Sequence, residues 1–202
     1  IIIPEEVMEN YSFFALAFRM KYINRWGLMR NITSENLLEH SAQCSMLAHA
    51  LAEIGNTVFG KNYDCGKTAL CALYHDMSEI FTGDLPTPVK YFNDTIRESY
   101  KSLEKNAVEN ALSKLPEDLK ENYTEILEFE QNADLKRIVK AADKLCAYLK
   151  CVDEYKNGNS EFRDALNSTK RALDEHMEYC PELKYFMEHF AGAFEMSLDS
   201  LN

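Results

Sequence analysis

The chain has 202 residues, of which 46% are hydrophobic and 27% charged, a composition typical of a folded globular domain and not of a disordered chain. Its formal net charge of −11 argues against a binding track for a nucleic-acid polymer, which would need clustered lysines and arginines. Only 7 glycines and 5 prolines are available for turns, so long helices are favoured over many short strands.

Neither the cysteines nor the N-terminus indicates an extracellular or membrane protein. The six cysteines form no C-x-x-C pair, and several lie within apolar helical patterns. We therefore expect buried, reduced thiols and neither a zinc–thiolate cluster nor disulfides. The opening run of three isoleucines stops at Pro4, too early for a signal peptide or a membrane span. These features predict a soluble cytoplasmic protein.

The first 30 residues predict a helix followed by a loop. Pro4 and the two glutamates after it suit the first turn of a helix. Residues 11–18 are apolar on most sides, as expected for a well-buried helix. Residues 21–30 break this pattern with polar residues, a tryptophan and a glycine, and we predict a loop or a short helical turn there.

A second predicted helix carries a histidine on its apolar face. Thr33 or Ser34 can cap its start, and Gly55 is expected to close it just after Ile54. His40 falls on the same face as the apolar residues. These are Leu37, Cys44, Leu47, Ala48 and Leu51.

A third helix is predicted to begin at Asp64 and to run into a stiff loop. Asp64 is a good N-cap, and four apolar residues follow at helical spacing. They are Ala69, Ala72, Leu73 and Ile80. The loop of residues 82–88 contains two prolines, each of which fixes a backbone angle.

The second half of the chain is also predicted to be helical. A long polar helix is expected over 89–114, a shorter one from Pro116, and another over 134–156 that the Asn-Gly-Asn of 157–159 stops. Two more helices follow, and the last opens at Pro181 with three inward phenylalanines. They are Phe186, Phe190 and Phe194. No segment alternates with period two, so we predict a single all-α domain over 1–202.

Three of these helices carry metal-binding residue types on faces that should be buried. His40 lies among leucines and a cysteine, His75-Asp76 interrupts an apolar run, and Asp143 follows two alanines. Burying such groups is costly unless they are paired or bind a metal. Two imidazoles and two carboxylates suit a borderline divalent cation.

The order His40, then His75-Asp76, then Asp143 is the H…HD…D signature of the HD-domain metal phosphohydrolases. The flanking sequence resembles one branch of that superfamily, the bacterial 5′-deoxynucleotidases of the YfbR type, over residues 13–198. Five stretches carry this resemblance: 23–31, 35–40, 74–79, 82–92 and 141–150. The Asn-Arg-Trp of 24–26 and the Gly-Asp-Leu-Pro-Thr-Pro of 83–88 are far more specific than the signature alone.

The resemblance implies an HD-domain helical bundle with a buried metal site. It implies that His40, His75, Asp76 and Asp143 bind one divalent cation, such as cobalt, manganese or zinc, which polarises a phosphoryl oxygen and activates water. Glu79 lies three residues after Asp76, on roughly the same helix face. We expect it to act as the acid/base group, with a partner to a ligand histidine as the alternative.

The resemblance also implies the substrate contacts for a deoxyribonucleoside 5′-monophosphate. Arg25 corresponds to the arginine that orients the phosphate, which its planar fork suits. Trp26 corresponds to the residue that disfavours a 2′-hydroxyl on the sugar. Six more expected contact residues complete the set: Asp76, Asp84, Leu85, Pro86, Thr87 and Asp143. Asp84 could accept a hydrogen bond from the 3′-hydroxyl.

Two other readings stay open at this point. One is another HD phosphohydrolase, acting on nucleoside triphosphates or cyclic nucleotides; the other is a non-catalytic nucleotide-sensing HD module. The family further implies a homodimer. Gly27 stands where proline is expected after Arg-Trp, and it adds backbone freedom beside the substrate contacts.

Overall fold

The computed structural model describes residues 11–90 and 92–201. Within these residues the chain is helical, and the only extended pairing is an isolated antiparallel bridge between Asn24 and Asn36. The prediction of an all-α fold is confirmed. The helix start predicted at Pro4 lies outside the described residues.

Ten α-helices occur in the described part of the chain. They are α1 (Phe13–Ala17), α2 (Leu37–Phe59), α3 (Cys65–Tyr74), α4 (Glu79–Thr82), α5 (Thr87–Lys90), α6 (Asp94–Leu112), α7 (Glu117–Leu127), α8 (Ala133–Lys156), α9 (Arg163–Met177) and α10 (Pro181–His189). Short 3₁₀ turns supplement them at Phe18–Tyr22, Phe129–Gln131, Ser160–Phe162, Ala191–Glu195 and Leu198–Ser200. Residues 23–36 form a loop that contains most of the one predicted over 21–30, and the 3₁₀ turn ends at Tyr22.

The start of α2 is set by Asn36, so the prediction of Thr33 or Ser34 as its cap is wrong. The Asn36 side chain accepts a hydrogen bond from the backbone N–H of Glu39 at 3.0 Å, and the Glu39 carboxylate accepts one from the Asn36 N–H at 3.1 Å. This reciprocal pair satisfies two N–H groups that the first helical turn leaves open.

The end of α2 also differs from the prediction, because Gly55 lies inside the helix. The helix runs to Phe59 and is closed by Gly60 at φ 63°, a left-handed conformation that glycine adopts without strain. Gly55 serves packing instead: a Cβ there would lie 2.4 Å from Cε2 of the Tyr63 ring.

Replacing Gly55 with alanine should therefore destabilise the fold. The Tyr63 hydroxyl is held by Glu182 and Arg137, so its ring cannot simply swing away from the added methyl. We expect a loss of about 1–3 kcal/mol in the free energy of unfolding, as is usual for overpacking. Urea denaturation of Gly55→Ala and of Gly192→Ala, where a Cβ meets nothing within 4 Å, measures this. Equal stability of the two variants would contradict the packing role.

The third predicted helix breaks in the middle. Helix α3 ends at Tyr74, and α4 begins only at Glu79. Between them the chain forms tight turns in which a backbone N–H donates to the carbonyl three residues earlier. One such hydrogen bond runs from the Met77 N–H to the Tyr74 carbonyl at 3.0 Å. This turn reorients the chain at His75 and Asp76.

The polar helix predicted from residue 89 also starts later than expected. It begins at Asp94, because the Asn93 side chain accepts from the Ile96 N–H at 2.8 Å and caps it. The short helix α5 precedes it.

Two apolar clusters form the core around α2. The larger one joins α2, α3, α8 and α10 and contains Leu51, Leu145 and Leu183. The smaller one surrounds Phe13, Met20, Leu37, Met77 and Leu115. All six cysteines are free, and all but Cys65 are buried, in line with the expected reduced thiols.

Two predictions about buried aromatic residues are wrong in part. Phe186 is buried, but Phe190 and Phe194 are about half exposed, because α10 ends at His189 and the following 3₁₀ turn no longer keeps the helical phase. Phe14 and Phe18 are likewise exposed. Helix α1 therefore buries one stripe, and not most of its sides.

Candidate active site

The four residues expected to bind a metal come together from three elements. Helix α2 supplies His40, the turn after α3 supplies His75 and Asp76, and α8 supplies Asp143. His40 Nε2 lies 3.2 Å from Asp143 Oδ1 and 3.7 Å from Asp76 Oδ2. His75 Nε2 lies 3.1 Å from Asp76 Oδ2 and 3.7 Å from Asp143 Oδ1. Donor atoms bound to one ion at about 2.1 Å lie roughly 3.0–3.5 Å apart, so this spacing fits a divalent cation.

The hydrogen bonding of His75 leaves the correct nitrogen for a metal. Its Nδ1 lies 2.7 Å from the carbonyl oxygen of Ala72, which can only accept, so Nδ1 carries a proton. Its Nε2 is buried and faces the carboxylates of Asp76 and Asp143 at 3.1 and 3.7 Å. A backbone carbonyl that fixes one ring nitrogen while the other faces the ion is the usual arrangement of a metal-binding histidine.

The charges in this cluster also favour a cation. Burial raises the pKa of Asp143, but hydrogen bonds from His40 and His75 outweigh it and hold that pKa well below its usual range. Burial lowers the pKa of His75, but the charge of Asp76 outweighs it and, with Asp143, raises that pKa to about 10. A proton thus occupies the cluster when no metal does. A cation must displace this proton, so metal affinity should increase with pH.

Cys44 is a neighbour of the cluster that the sequence analysis treated only as apolar. Its Sγ lies 3.4 Å from His40 Nε2, and it shares a group of donors within 4.8 Å of one another with His40, His75 and Asp143. Burial raises the pKa of the Cys44 thiol well above its usual value, and a neutral thiol is a poor ligand. The sequence does place Cys44 four residues after His40, on the same helix face, which could have indicated that the two side chains are neighbours.

Arg25, in the loop before α2, reaches the four side chains that are expected to bind the metal. Its Nη1 donates to Asp76 Oδ2 at 3.3 Å, and its Nε donates to Glu35 Oε2 at 3.2 Å. Burial lowers the pKa of Arg25, but the charge of Asp76, followed by Asp143 and Glu35, raises it further than burial lowers it. The guanidinium is therefore a fixed positive group. Glu35, a residue the sequence analysis gave no role, orients it.

Trp26 and Asp84 join the two substrate segments. The Trp26 N–H donates to Asp84 Oδ2 at 3.3 Å, and the Trp26 ring lies 5.4 Å from that of Phe162. The backbone of Trp26 has φ 57°, an unusual conformation for a bulky residue. Such residues persist only where their surroundings fix them, commonly at functional sites.

A cavity of about 770 Å³ opens beside the expected metal ligands. This volume is within the range of small-ligand pockets. Arg25, Trp26, Asp84, Leu85, Pro86 and Asp143 from the expected substrate set line it. Thr87 begins α5 directly after them.

The far wall of this cavity was missed by the sequence analysis. Helices α8 and α9 form it with Lys144, Ala147, Ala165, Ser168, Thr169 and Ala172. Small residues at helical spacing on α9 were the only signal, and they are equally typical of helix packing.

Glu79 is buried on α4 and paired with a lysine. Its Oε1 accepts from Lys90 Nζ at 2.8 Å, while its Oε2 has no partner among the described residues. Burial raises the pKa of Glu79, the charge of Asp76 adds to this effect, and Lys90 opposes it, which leaves the pKa at about 7. A carboxylate with this pKa and an open oxygen is suited to proton transfer near neutral pH.

Two solved structures with a similar fold are HD-domain phosphohydrolases. An HD-domain phosphohydrolase from Listeria innocua matches with a TM-score of 0.79 and 22% identity, over 93% of this chain and 90% of that one. The cyanophage S-2L HD phosphohydrolase DatZ, solved with dA and one catalytic Zn²⁺ ion, matches with a TM-score of 0.66 and 18% identity, over 98% and 100% of the two chains. At these identities the likeness concerns the fold. None of the helices in the described part of the chain has the length and apolar character that a membrane crossing requires.

Sequence relatives are much closer. The 5′-deoxynucleotidase YfbR of Escherichia coli is 46% identical, over 96% of this chain and 98% of that protein. A 5′-deoxynucleotidase of Enterobacter sp. (strain 638) is 45% identical over the same shares. The model of the family described as 5′-deoxynucleotidase YfbR-like matches residues 12–194. The chain therefore belongs to the YfbR-like 5′-deoxynucleotidase family.

Proposed function

We propose that this protein hydrolyses deoxyribonucleoside 5′-monophosphates to the deoxynucleoside and inorganic phosphate. The observation that carries the proposal is the contact of Arg25 with Asp76 at 3.3 Å. It puts a fixed positive group against the metal-ligand cluster, where a phosphate would sit, while the next residue, Trp26, lines the cavity for the nucleoside. The activity of the family supports the same substrate.

The phosphate group of the substrate would be bound by Arg25 and by the metal ion that the four expected ligands hold. Arg25 uses Nε and Nη1 for Glu35 and Asp76, and its Nη2 has no hydrogen-bond partner among the described residues. That donor is free for a phosphate oxygen. His40, His75, Asp76 and Asp143 would hold one divalent cation, which supplies Lewis acidity toward a phosphoryl oxygen and lowers the pKa of water. Cobalt, manganese and zinc all suit this mixed ligand set.

Glu79 handles the proton of the reaction. Its open Oε2 accepts a proton from the water whose oxygen attacks phosphorus, as the bond from phosphorus to the 5′-oxygen breaks. The same group can return that proton to the 5′-oxygen of the departing nucleoside. Lys90, bound to Oε1, keeps the carboxyl group in place through both steps.

The sugar and the base meet different parts of the cavity. The Trp26 ring lines the cavity beside the sugar and disfavours a 2′-hydroxyl, and Asp84 keeps one oxygen for the 3′-hydroxyl while the other accepts from the Trp26 N–H. Leu85, Pro86 and Thr87 brace the nucleoside. The small side chains of α9 offer no fixed pattern of donors and acceptors for one base, which favours tolerance of several bases.

We further propose that residues 1–202 act as a single HD domain that forms a homodimer in the cytoplasm. Helix α2 contributes to both apolar clusters, which supports one continuous unit. The dimer follows from the family resemblance alone, while the compartment is inferred from the buried, reduced thiols.

Trp26 provides the test of deoxynucleotide selectivity. We expect kcat/KM for dAMP to exceed that for AMP by up to about 10², the limit for a wall that merely leaves a hydroxyl unpaired. Trp26→Ala should reduce this ratio more than it reduces the rate with dAMP. Phosphate release from dAMP and AMP measures it, with Tyr179→Ala, an exposed aromatic residue outside the cavity, as the control. A native ratio near one would refute deoxy selectivity, and efficient release from dATP would favour a triphosphatase.

A further inference from the structure

The loop that carries Arg25 and Trp26 is fixed at more than its two ends. At its base, the Arg25 N–H donates to the Glu35 carbonyl at 2.9 Å, and the Leu37 N–H donates to that of Ile23 at 2.8 Å. These bonds close residues 24–36, here called the Arg25–Trp26 loop. They do not by themselves fix its far part, residues 26–33, where Trp26 lies.

Trp26 needs such fixing because its backbone conformation is unfavourable. It has φ 57°, which side-chain-bearing residues rarely adopt, and the next residue, Gly27, adds no stiffness. Its carbonyl accepts from Met29 N–H at 2.8 Å and from Asn31 Nδ2 at 3.3 Å. The position of Trp26 therefore depends on where residues 29–33 are held.

A buried carboxylate on α8 holds that far part. Glu154 is 1% exposed, and its Oε2 accepts from the Ile32 N–H at 2.9 Å while its Oε1 accepts from the Thr33 N–H at 3.0 Å. Lys150 Nζ, 2.6 Å from Oε1, also donates to the Thr33 carbonyl. The loop is thus bound through its backbone, independently of its own side chains.

Asn159 extends this anchor to the other side of Trp26. Its Nδ2 donates to Glu154 Oε2 at 2.7 Å and to the Arg30 carbonyl at 2.6 Å. The 3₁₀ turn that follows Asn159 carries Phe162, whose ring packs against that of Trp26. One anchor therefore sets both the backbone beneath the tryptophan and the ring beside it.

We propose that Glu154 is a positioning residue that, with Lys150 and Asn159, fixes Trp26 against the cavity and so sets the discrimination against ribonucleotides. The selectivity part rests on the proposed function, while the positional part does not. Glu154 touches no predicted substrate residue directly. It acts through the backbone of Ile32 and Thr33.

Glu154→Gln is the informative substitution, because glutamine keeps the shape of the glutamate side chain but cannot accept hydrogen bonds at both of its terminal atoms. Both carboxylate oxygens accept hydrogen bonds from two donors each. An amide must turn an NH₂ group toward one of these pairs, which replaces two favourable contacts by donor–donor contacts. The loop should then move away from α8.

Glu182 offers a closely matched control. It is also a fully buried glutamate whose two oxygens accept from four donors, in this case from Tyr63, Cys180 and twice from Arg137. Burial raises the pKa of each carboxylate, but hydrogen bonds bring both to about 2. Glu182→Gln should therefore cost similar stability without touching the Arg25–Trp26 loop.

Fluorescence gives a readout that needs neither metal nor substrate, since Trp26 is the only tryptophan of the chain. The experiment compares acrylamide quenching and the emission maximum for the native protein, Glu154→Gln and Glu182→Gln, well below their melting temperatures. Rates with dAMP and AMP are measured on the same samples. We expect Glu154→Gln to raise the quenching constant about twofold and to lower the dAMP/AMP ratio about fivefold or more. Glu182→Gln should change only the melting temperature.

Each outcome decides the proposal. If Glu154→Gln matches Glu182→Gln in quenching and in the dAMP/AMP ratio, Glu154 is merely structural and the proposal is wrong. If quenching shifts while the native protein shows no preference for dAMP, the anchor stands and the selectivity of the proposed function fails. Should Glu154→Gln not fold, Asn159→Ala, which keeps the carboxylate, must give smaller shifts in the same direction; unchanged quenching in that variant overturns the proposal.

Discussion

Asp143→Asn should remove both metal binding and nucleotidase activity. Asp143 Oδ1 lies 3.2 Å from His40 Nε2 and 3.7 Å from His75 Nε2, so it is one of the two carboxylates that lie between the histidines. An amide keeps the size of the side chain but loses the charge that balances a cation. Replacing even an outer partner of a ligand costs 10- to 100-fold in affinity, so we expect a loss of at least about 100-fold in both metal affinity and kcat/KM.

Calorimetric titration with cobalt and phosphate release from dAMP measure these two losses. Asp153→Asn is the matched control, because Asp153 lies on the same helix, is exposed and bonds only to Asn157 among the described residues. It should bind metal and hydrolyse dAMP like the native protein. Full activity of Asp143→Asn would remove Asp143 from the metal site.

Glu79→Gln should lower kcat strongly while leaving metal binding intact. General acid–base groups contribute about 10²–10⁴ to the rate, and Glu79 is three residues beyond Asp76 with an open Oε2. Glu98→Gln, an exposed carboxylate on α6, is the control. A decrease in kcat of less than about tenfold would instead favour a purely structural pairing with Lys90.

The pH dependence distinguishes these roles further. Burial raises the pKa of Glu79 to about 7, and the base must be deprotonated, so kcat/KM of the native protein should fall as pH decreases below about 7. Glu79→Gln should lack this acid limb. The contribution of Glu79 to folding stability without metal has the opposite sign. Since its folded pKa lies above the unfolded one near 4.5, this contribution decreases as pH rises from about 4.5 through 7. The difference in stability between the native protein and Glu79→Gln should therefore change over this pH range.

The expected metal ligands could be picked out because their chemistry conflicts with their surroundings, whereas the expected substrate contacts came from the family resemblance alone. A histidine among leucines, as at His40, or an aspartate after two alanines, as at Asp143, requires an explanation from the sequence alone. The structure brings Asp143 to 3.2 Å from His40, and Asp143 lines one cavity with Arg25 and Trp26. Family resemblance supplied their roles, which periodicity could not.

What the sequence could not predict depends on contacts between distant residues. Gly55 has the signal of a helix end, but the Tyr63 ring packed against it makes it a packing position. Glu154 looks like one more charge on a helix, and only the fold shows that it binds the backbone of Ile32 and Thr33. The wall formed by α9 was hidden for the same reason, since small residues at helical spacing occur in most helix interfaces.

Phosphate release from dAMP by metal-stripped protein, titrated with cobalt beside AMP and dATP, measures whether the protein is a metal-dependent deoxynucleotidase. We expect no release before the ion is added, release from dAMP that saturates near one ion per chain, and far slower release from AMP and dATP. Hydrolysis of dAMP at full rate by protein shown to contain no metal would contradict this expectation. So would a failure to hydrolyse dAMP with cobalt, manganese and zinc alike.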